Sequence, residues 1–459
     1  MNLCTVVARS ALVSSLMGIA SLLSLSSCGG GNNFISPPEH ANYTVGVSVS
    51  NLVSGTQLVL EDNISDSLTV TANGTFDFEL AVPVGSGYSV TVSTQPAGQT
   101  CTLANASGSS STAPASIVVT VSCASVPQYA YVVNASNDNT LSQYSIGSDG
   151  TLTPLSPATI PTGQFPQSVT IDPVAKYVYV ADEFDNSISE FSIGSTGTLS
   201  VFAPGLIQQQ RGTQPWAVTI TLTGTNAYVL NSGNNTISQE GIGANGIFQG
   251  EGVPVATGVQ PWAMAITPNG QFAYVTDHTD NTVSEYAIDS TGALNALSPA
   301  TVGAGISPAG LTVDPTGKYV YVANLGDGTV SQFTIGENGV LTPMTAATVM
   351  AGDEPSTITI NSTSQIAYVV NYNGGHAGSV SVYTIAADGS LTAASPATVA
   401  TGQGPVMLAF DATQRYAYVS NSVDNNISQF AVGTAGLLTP LSVPTAATGT
   451  MPTQIATTY

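Results

Sequence analysis

The chain has 459 residues, enough for two or three domains. Hydrophobic residues make up 42% and charged residues only 7%, with 27 acidic side chains against 5 basic ones and a formal net charge of −22. A surface of that sign repels nucleic acid and anionic headgroups, so nucleic-acid binding is the first class excluded, and solubility must rest on Ser, Thr, Asn and Gly.

Residues 1–27 read as a signal peptide and take no part in the fold. Arg9 gives a sparse positive start, and the apolar run 11–25 is short for a membrane span. Leu25-Ser26-Ser27-Cys28 ends that run and resembles the lipobox of bacterial lipoproteins. The resemblance implies that Cys28 is lipidated and that acyl chains anchor an exported protein to the cell envelope. Gly29, in place of an Asp, points to the outer membrane or cell surface. Residues 28–40, rich in Gly, Asn and Pro, form a flexible tether.

Residues 41–125 alternate apolar and polar positions in short runs such as YTVGVSVS, SLTVTANG and SIVVTVS. That pattern predicts a small β-sandwich, which resembles the immunoglobulin-like spacers of envelope lipoproteins. Cys101 and Cys123 lie inside it, and in an oxidising compartment a disulfide is their default state. Their spacing, with no histidine nearby, is not a zinc signature.

From residue 127 to 459 the chain is a repeat array. Tyr131, Tyr179, Tyr228, Tyr274, Tyr321, Tyr368 and Tyr418 recur at intervals of 48, 49, 46, 47, 47 and 50 residues. Three positions after each stands Asn or Asp (134, 182, 231, 277, 324, 371, 421), and a marker proline opens each unit (166, 215, 261, 308, 355, 405, 452). The fifth unit shows four strand-like runs: A at 309–315, B at 318–324, C at 329–335 and D at 340–346. B is apolar on both faces, as a sheet packed between two neighbours requires. The first unit lacks strand A, and the last residues, MPTQIATTY, align with one. The expectation is an all-β chain: a seven-bladed β-propeller of four-stranded blades, closed by its C-terminal strand, behind a small β-sandwich.

The pattern Pro-x-x-(Val/Ile)…Asp-Pro-x-Gly-x-Tyr-Val-Tyr-Val-x-Asn resembles the repeats of YVTN and lactonase-like seven-bladed propellers. The resemblance implies a fold shared by lactone-acting enzymes and by binding proteins. Unit three departs from it at Gly224-Thr225-Asn226-Ala227 and at Glu240-Gly241, and unit six carries a longer B–C loop, 371–379.

Candidate site residues follow from the repeat map. The D–A and B–C loops of a propeller surround one mouth of its channel, the default ligand site. Trp216 and Trp262, the only two tryptophans, each follow a marker proline and offer an apolar or sugar-stacking wall, with Phe165, Arg211 and Asp277 as further ligand-binding candidates. His278 and Asp280 are the candidate base and its orienting carboxylate, set against a simpler reading as solvated loop residues. The Asx after each B strand is expected to cap the B–C turn. Asp182, Glu183, Asp185, Asp277 and Asp280 offer oxygen ligands to Ca²⁺, but their spacing matches no calcium loop, so no metal or other cofactor is expected. Lys176, Lys318 and Arg415 fall in A–B turns away from the mouth, which argues against a phosphorylated ligand. No Gly-x-Ser-x-Gly elbow, His-Glu-x-x-His or phosphate loop is present. Two functions remain: a lipid-anchored, monomeric binding module for an envelope protein or small neutral ligand, and a lactonase-like hydrolase of a neutral cyclic ester.

Overall fold

The computed structural model describes residues 41–458 apart from 65, 112–115, 203–212, 362–364 and 434–435. The stretches read as signal peptide and tether (1–40, with Cys28) and Arg211 lie outside the described residues.

The small domain is a sandwich of two sheets. One orders strands 74–77, 42–50, 116–125 and 99–104, with 82–83 beside the second; the other orders 67–70, 58–62, 87–94 and 107–109. Alternation decides the inward face: Tyr43, Val45, Val47 and Val49 all point into a core shared with Leu58, Leu60, Val119 and Val121. Cys101 and Cys123 face each other across antiparallel strands and are bonded.

The remainder is seven blades: six are four-stranded sheets, and the third has its outer edge in two short strands, 248–251 and 255–256. The fifth blade holds strands A 308–313, B 319–324, C 329–335 and D 341–350, so D runs four residues beyond its expected end. The ring closes as expected: strand 452–457 pairs with 128–134 and supplies strand A of the first blade.

The recurring tyrosine is the rivet between blades. Each B-strand Tyr is fully buried, and its hydroxyl donates to the carbonyl of a Gly in the C–D turn of the next blade. Tyr131 reaches Gly197 (2.7 Å), Tyr179 Gly246 (2.6 Å), Tyr228 Gly292 (2.7 Å) and Tyr274 Gly339 (2.7 Å). Tyr321 reaches Gly389 (2.6 Å), Tyr368 Gly436 (2.5 Å), and Tyr418 closes the circle onto Gly150 (2.8 Å). These turns need glycine twice over. Gly150 has φ +81°, and a Cβ there would stand 2.2 Å from the Tyr416 ring.

The Asx after each B strand does not cap the B–C turn as expected. It reaches across to the hydroxyls of strand C, because the side chain lies inside the blade and not over the loop. Asn324 donates to Thr329 (2.9 Å) and Ser331 (2.9 Å), and its Oδ1 accepts from Gly305 N in the D–A loop (3.2 Å). A third device is a glutamine on strand C. Gln332 accepts from Leu391 N of the next blade (2.7 Å) and donates to Ala346 O of its own (2.8 Å).

Candidate functional site

Each strand A starts with its marker proline, and the residue before that proline is left-handed: φ is +55° at Phe165, +60° at Gln260 and +54° at Met451. In five of the seven bends an Asn side chain from the preceding blade holds the turn, as where Asn139 Oδ1 accepts from Phe165 N at 2.8 Å. A register shift follows directly after the proline in every blade, as between Pro215 and Ala217 or Pro261 and Met264. A bulge at that place re-aims the second strand-A residue. The seven residues so aimed, Gln167, Trp216, Trp262, Ala309, Ser356, Val406 and Thr453, all line one cavity of about 320 Å³ at the mouth. Leu325, Tyr372 and Ser422 from B–C loops, Met451, and the next strand-A residues Thr357, Met407 and Gln454 complete it.

Trp216 and Trp262 meet in this ring with centroids 4.3 Å apart. His278 stacks on the far side of Trp262 at 4.5 Å and 28°. Its Nδ1 lies 3.2 Å from Pro308 O, so the Nδ1–H tautomer donates to that carbonyl and leaves the Nε2 lone pair as an acceptor. Burial pushes the imidazole pKa below its ordinary value and keeps the ring neutral.

The structure does not bring Asp280 to His278. The Asp280 carboxylate accepts from Val259 N at 2.7 Å. Asp138, Asp185, Asp327 and Asp424 make the same bond to D–A loop amides in four other blades. The bond belongs to the repeat, and the recurrence of Asp a few residues after the Asx was the signal for it in the sequence. Asp277 also faces inward: its carboxylate accepts from Thr282 (2.9 Å), Ser284 (2.8 Å) and Gly258 N (3.0 Å), and burial raises its pKa to about 6. Asp182 is its counterpart in the second blade, accepting from Ser189 (2.6 Å), with a pKa raised to about 7 by burial. Among the described residues, no group of three or more His, Cys, Asp or Glu is arranged to hold a metal ion.

Phe165 stacks on Phe184 at 4.4 Å and 8° on the rim and does not line the cavity. Arg211 lies outside the described residues. Lys176, Lys318 and Arg415 sit in A–B turns, where their amides donate to Asp172, Asp314 and Asp411. No charged side chain lines the mouth cavity among the described residues. Its polar groups are neutral, and one is oriented from behind: Gln167 donates its Nε2 to Glu183 at 2.7 Å. Gln167, Ser356 and Thr453 were readable from their equivalence to the tryptophans, each following a marker proline. The B–C contributors Leu325, Tyr372 and Ser422 carry no comparable sequence signal.

The family described as "Lactonase, 7-bladed beta-propeller" matches residues 118–382 and 252–457. A Bacteroides fragilis protein named as a candidate 6-phosphogluconolactonase is similar in structure, with TM-score 0.64 and 20% identity over 73% of this chain and 98% of its own. The periplasmic gluconolactonase of Pseudomonas aeruginosa is similar at TM-score 0.59 and 16% identity, covering 72% of this chain and 99% of its own. No curated protein matches the chain.

Proposed function

The chain belongs to the family of lactonase seven-bladed β-propellers, and from that membership we propose that it takes a neutral cyclic ester at the channel mouth and hydrolyses it. The observation that carries this reading is the ring of second strand-A residues: two touching indoles on one side and uncharged amides and hydroxyls on the other. A sugar-like lactone ring presents an apolar face and a polar edge, which such a wall and rim would meet. A phosphorylated lactone needs cationic donors, which the described lining lacks. His278 braces Trp262 and stays neutral, with Nε2 as its available acceptor.

Acid release from a panel of neutral and phosphorylated lactones tests the reading. Neutral lactones should be hydrolysed, with the rate falling at least tenfold in Trp262→Ala, on the order of one aromatic contact. Preference for phosphorylated substrates, or a Trp262→Ala variant as active as the parent, would refute it.

A second reading, a non-catalytic binding module, is favoured by one observation: His278 and Asp280 engage separate backbone partners and form no acid–base pair. It predicts ligand binding without acid release. Under either reading we propose export and lipid anchoring through Cys28, supported by the lipobox-like Leu25–Cys28 and the Cys101–Cys123 disulfide. The mass of the mature N-terminal peptide decides: a diacylglyceryl group on Cys28 is expected, and an unmodified Cys28 overturns the proposal.

A further inference from the structure

Two side-chain amides line the mouth, Gln167 from the second blade and Gln454 from the strand that completes the first. Each is held by one end, and the two are held in opposite senses. Gln167 is 8% exposed and gives its Nε2 to the Glu183 carboxylate at 2.7 Å. A carboxylate accepts and does not donate, so the amide cannot turn over there, and Oε1 is the end Gln167 offers to the cavity. Gln454 reaches the neighbouring strand, where its Oε1 accepts from Val169 N at 3.3 Å. A backbone N–H only donates, which fixes this amide the other way round and leaves Nε2 for the cavity. Val169 stands two residues beyond Gln167 on the same strand, and Thr453, beside Gln454, donates to the Gln167 carbonyl at 3.1 Å. An acceptor and a donor therefore stand on adjoining strands of one wall.

The support of Gln167 has a parallel in the repeat. Glu183 is the first residue after the Asx of its blade, and its backbone amide is tied to Phe165 O at 3.1 Å. His278 holds the same place in the fourth blade, where it stacks on Trp262. In both blades that residue backs the second residue of strand A. Hydroxyls of the mouth are spent as donors on backbone, Ser356 to Val406 O (2.7 Å) and Ser422 to Gly404 O (2.9 Å), and keep only lone pairs for a ligand.

We propose that Gln454 and Gln167 read the carbonyl of a cyclic ester and a hydroxyl on the carbon beside it, with Glu183 as the positioning residue that fixes the sense of the Gln167 amide. The ester carbonyl accepts from Gln454 Nε2, and the neighbouring hydroxyl donates to Gln167 Oε1. The substrate class is then an α-hydroxylactone; a lactone without that hydroxyl leaves a desolvated acceptor unpaired. This deepens the reading of the mouth as a lactone site and rests on it.

The test compares three ligands built on one ring, α-hydroxy-, α-methoxy- and unsubstituted γ-butyrolactone, on the full chain. Binding is read by intrinsic fluorescence, because the only two tryptophans both stand at the mouth, and hydrolysis by acid release. The hydroxylated lactone should bind about tenfold more tightly than the other two, the effect of one hydrogen bond to a buried acceptor. Gln167→Ala should bring the three Kd values together, and Gln454→Ala should weaken all three alike. Glu183→Gln keeps an acceptor behind Gln167 and should retain the preference. Glu183→Lys puts a donor there, turns the amide over and should pass the preference to the methoxy lactone, which only accepts. A purely structural Glu183 would lower affinity without reversing the order. Equal affinities in the parent, or a Glu183→Lys variant that keeps the parent's order, overturn the inference even where the lactones are hydrolysed. Hydroxyl-dependent binding with no hydrolysis upholds it and defeats only the proposed reaction. Absence of binding by all three overturns both.

Discussion

Asp182→Asn should stabilise the protein at neutral pH, and the structure sets both its size and its pH course. Five blades carry Asn at this position and two carry Asp. In the Asn blades the amide donates to a strand-C serine, as Asn371 does to Ser381 at 2.9 Å. In the second blade the direction is reversed: Ser189 donates to Asp182 at 2.6 Å. The substitution is isosteric, and the Ser189 hydroxyl needs only to rotate to accept. What it removes is a buried carboxylate whose pKa is raised from 3.8 to about 7, chiefly by burial. A folded-state pKa above the unfolded one means that the native protein binds the extra proton, so stability is complete below about pH 4 and is lost as pH rises toward 7. Three pKa units correspond to about 4 kcal/mol once both states are ionised, an upper value for a buried group. Urea denaturation followed by circular dichroism at pH 4, 6 and 8 measures the difference. The gain should be near zero at pH 4, intermediate at pH 6 and largest at pH 8. A gain independent of pH, or a loss at pH 8, would refute the assignment of a strained, protonatable Asp182.

Tyr321→Phe should cost about 1–3 kcal/mol by leaving the Gly389 carbonyl without its donor, read as a lowered urea midpoint; an unchanged midpoint would remove the tyrosine from its role between blades. A chain ending at Met451 lacks the strand that pairs with 128–134 and exposes a sheet edge, so its thermal midpoint should fall markedly. A truncated protein that melts with the full one would mean that closure carries no stability. Replacing Cys101 and Cys123 together by Ser should cost about 3 kcal/mol on the chain-entropy account of the loop they close. Guanidinium unfolding of oxidised and double-Ser forms checks it, with equal midpoints as the adverse result.

The repeat was legible because its three markers are local and recur in step, so strand number, blade number and closure could all be read along the chain. The work of those markers was less so. The hydroxyl of Tyr131 meets a carbonyl 66 residues on, and that of Tyr418 one 268 residues back. Nothing in a single repeat discloses such a partner. For the same reason the Asx read as a turn cap: its true partners, Ser331 and Gly305 in the case of Asn324, lie 7 and 19 residues away in opposite directions and meet only once the blade has formed.

The candidate site divides along the same line. Trp216 and Trp262 were found because they follow a marker proline, and the bulge at that proline turns them into the mouth. His278 and Asp280 were joined on sequence proximity alone, which says little in a loop where neighbouring side chains face different strands. The repeat supplies a sharper rule. Asp280 recurs in function at Asp138, Asp185, Asp327 and Asp424, and a residue needed in five blades is there for the blade. Trp216 and Trp262 break the repeat at positions aimed into the channel, where other blades carry Ala309, Ser356, Val406 and Thr453. In a structure whose architecture is written seven times, departures on the channel wall carry more information about the ligand than any side chain the blades share.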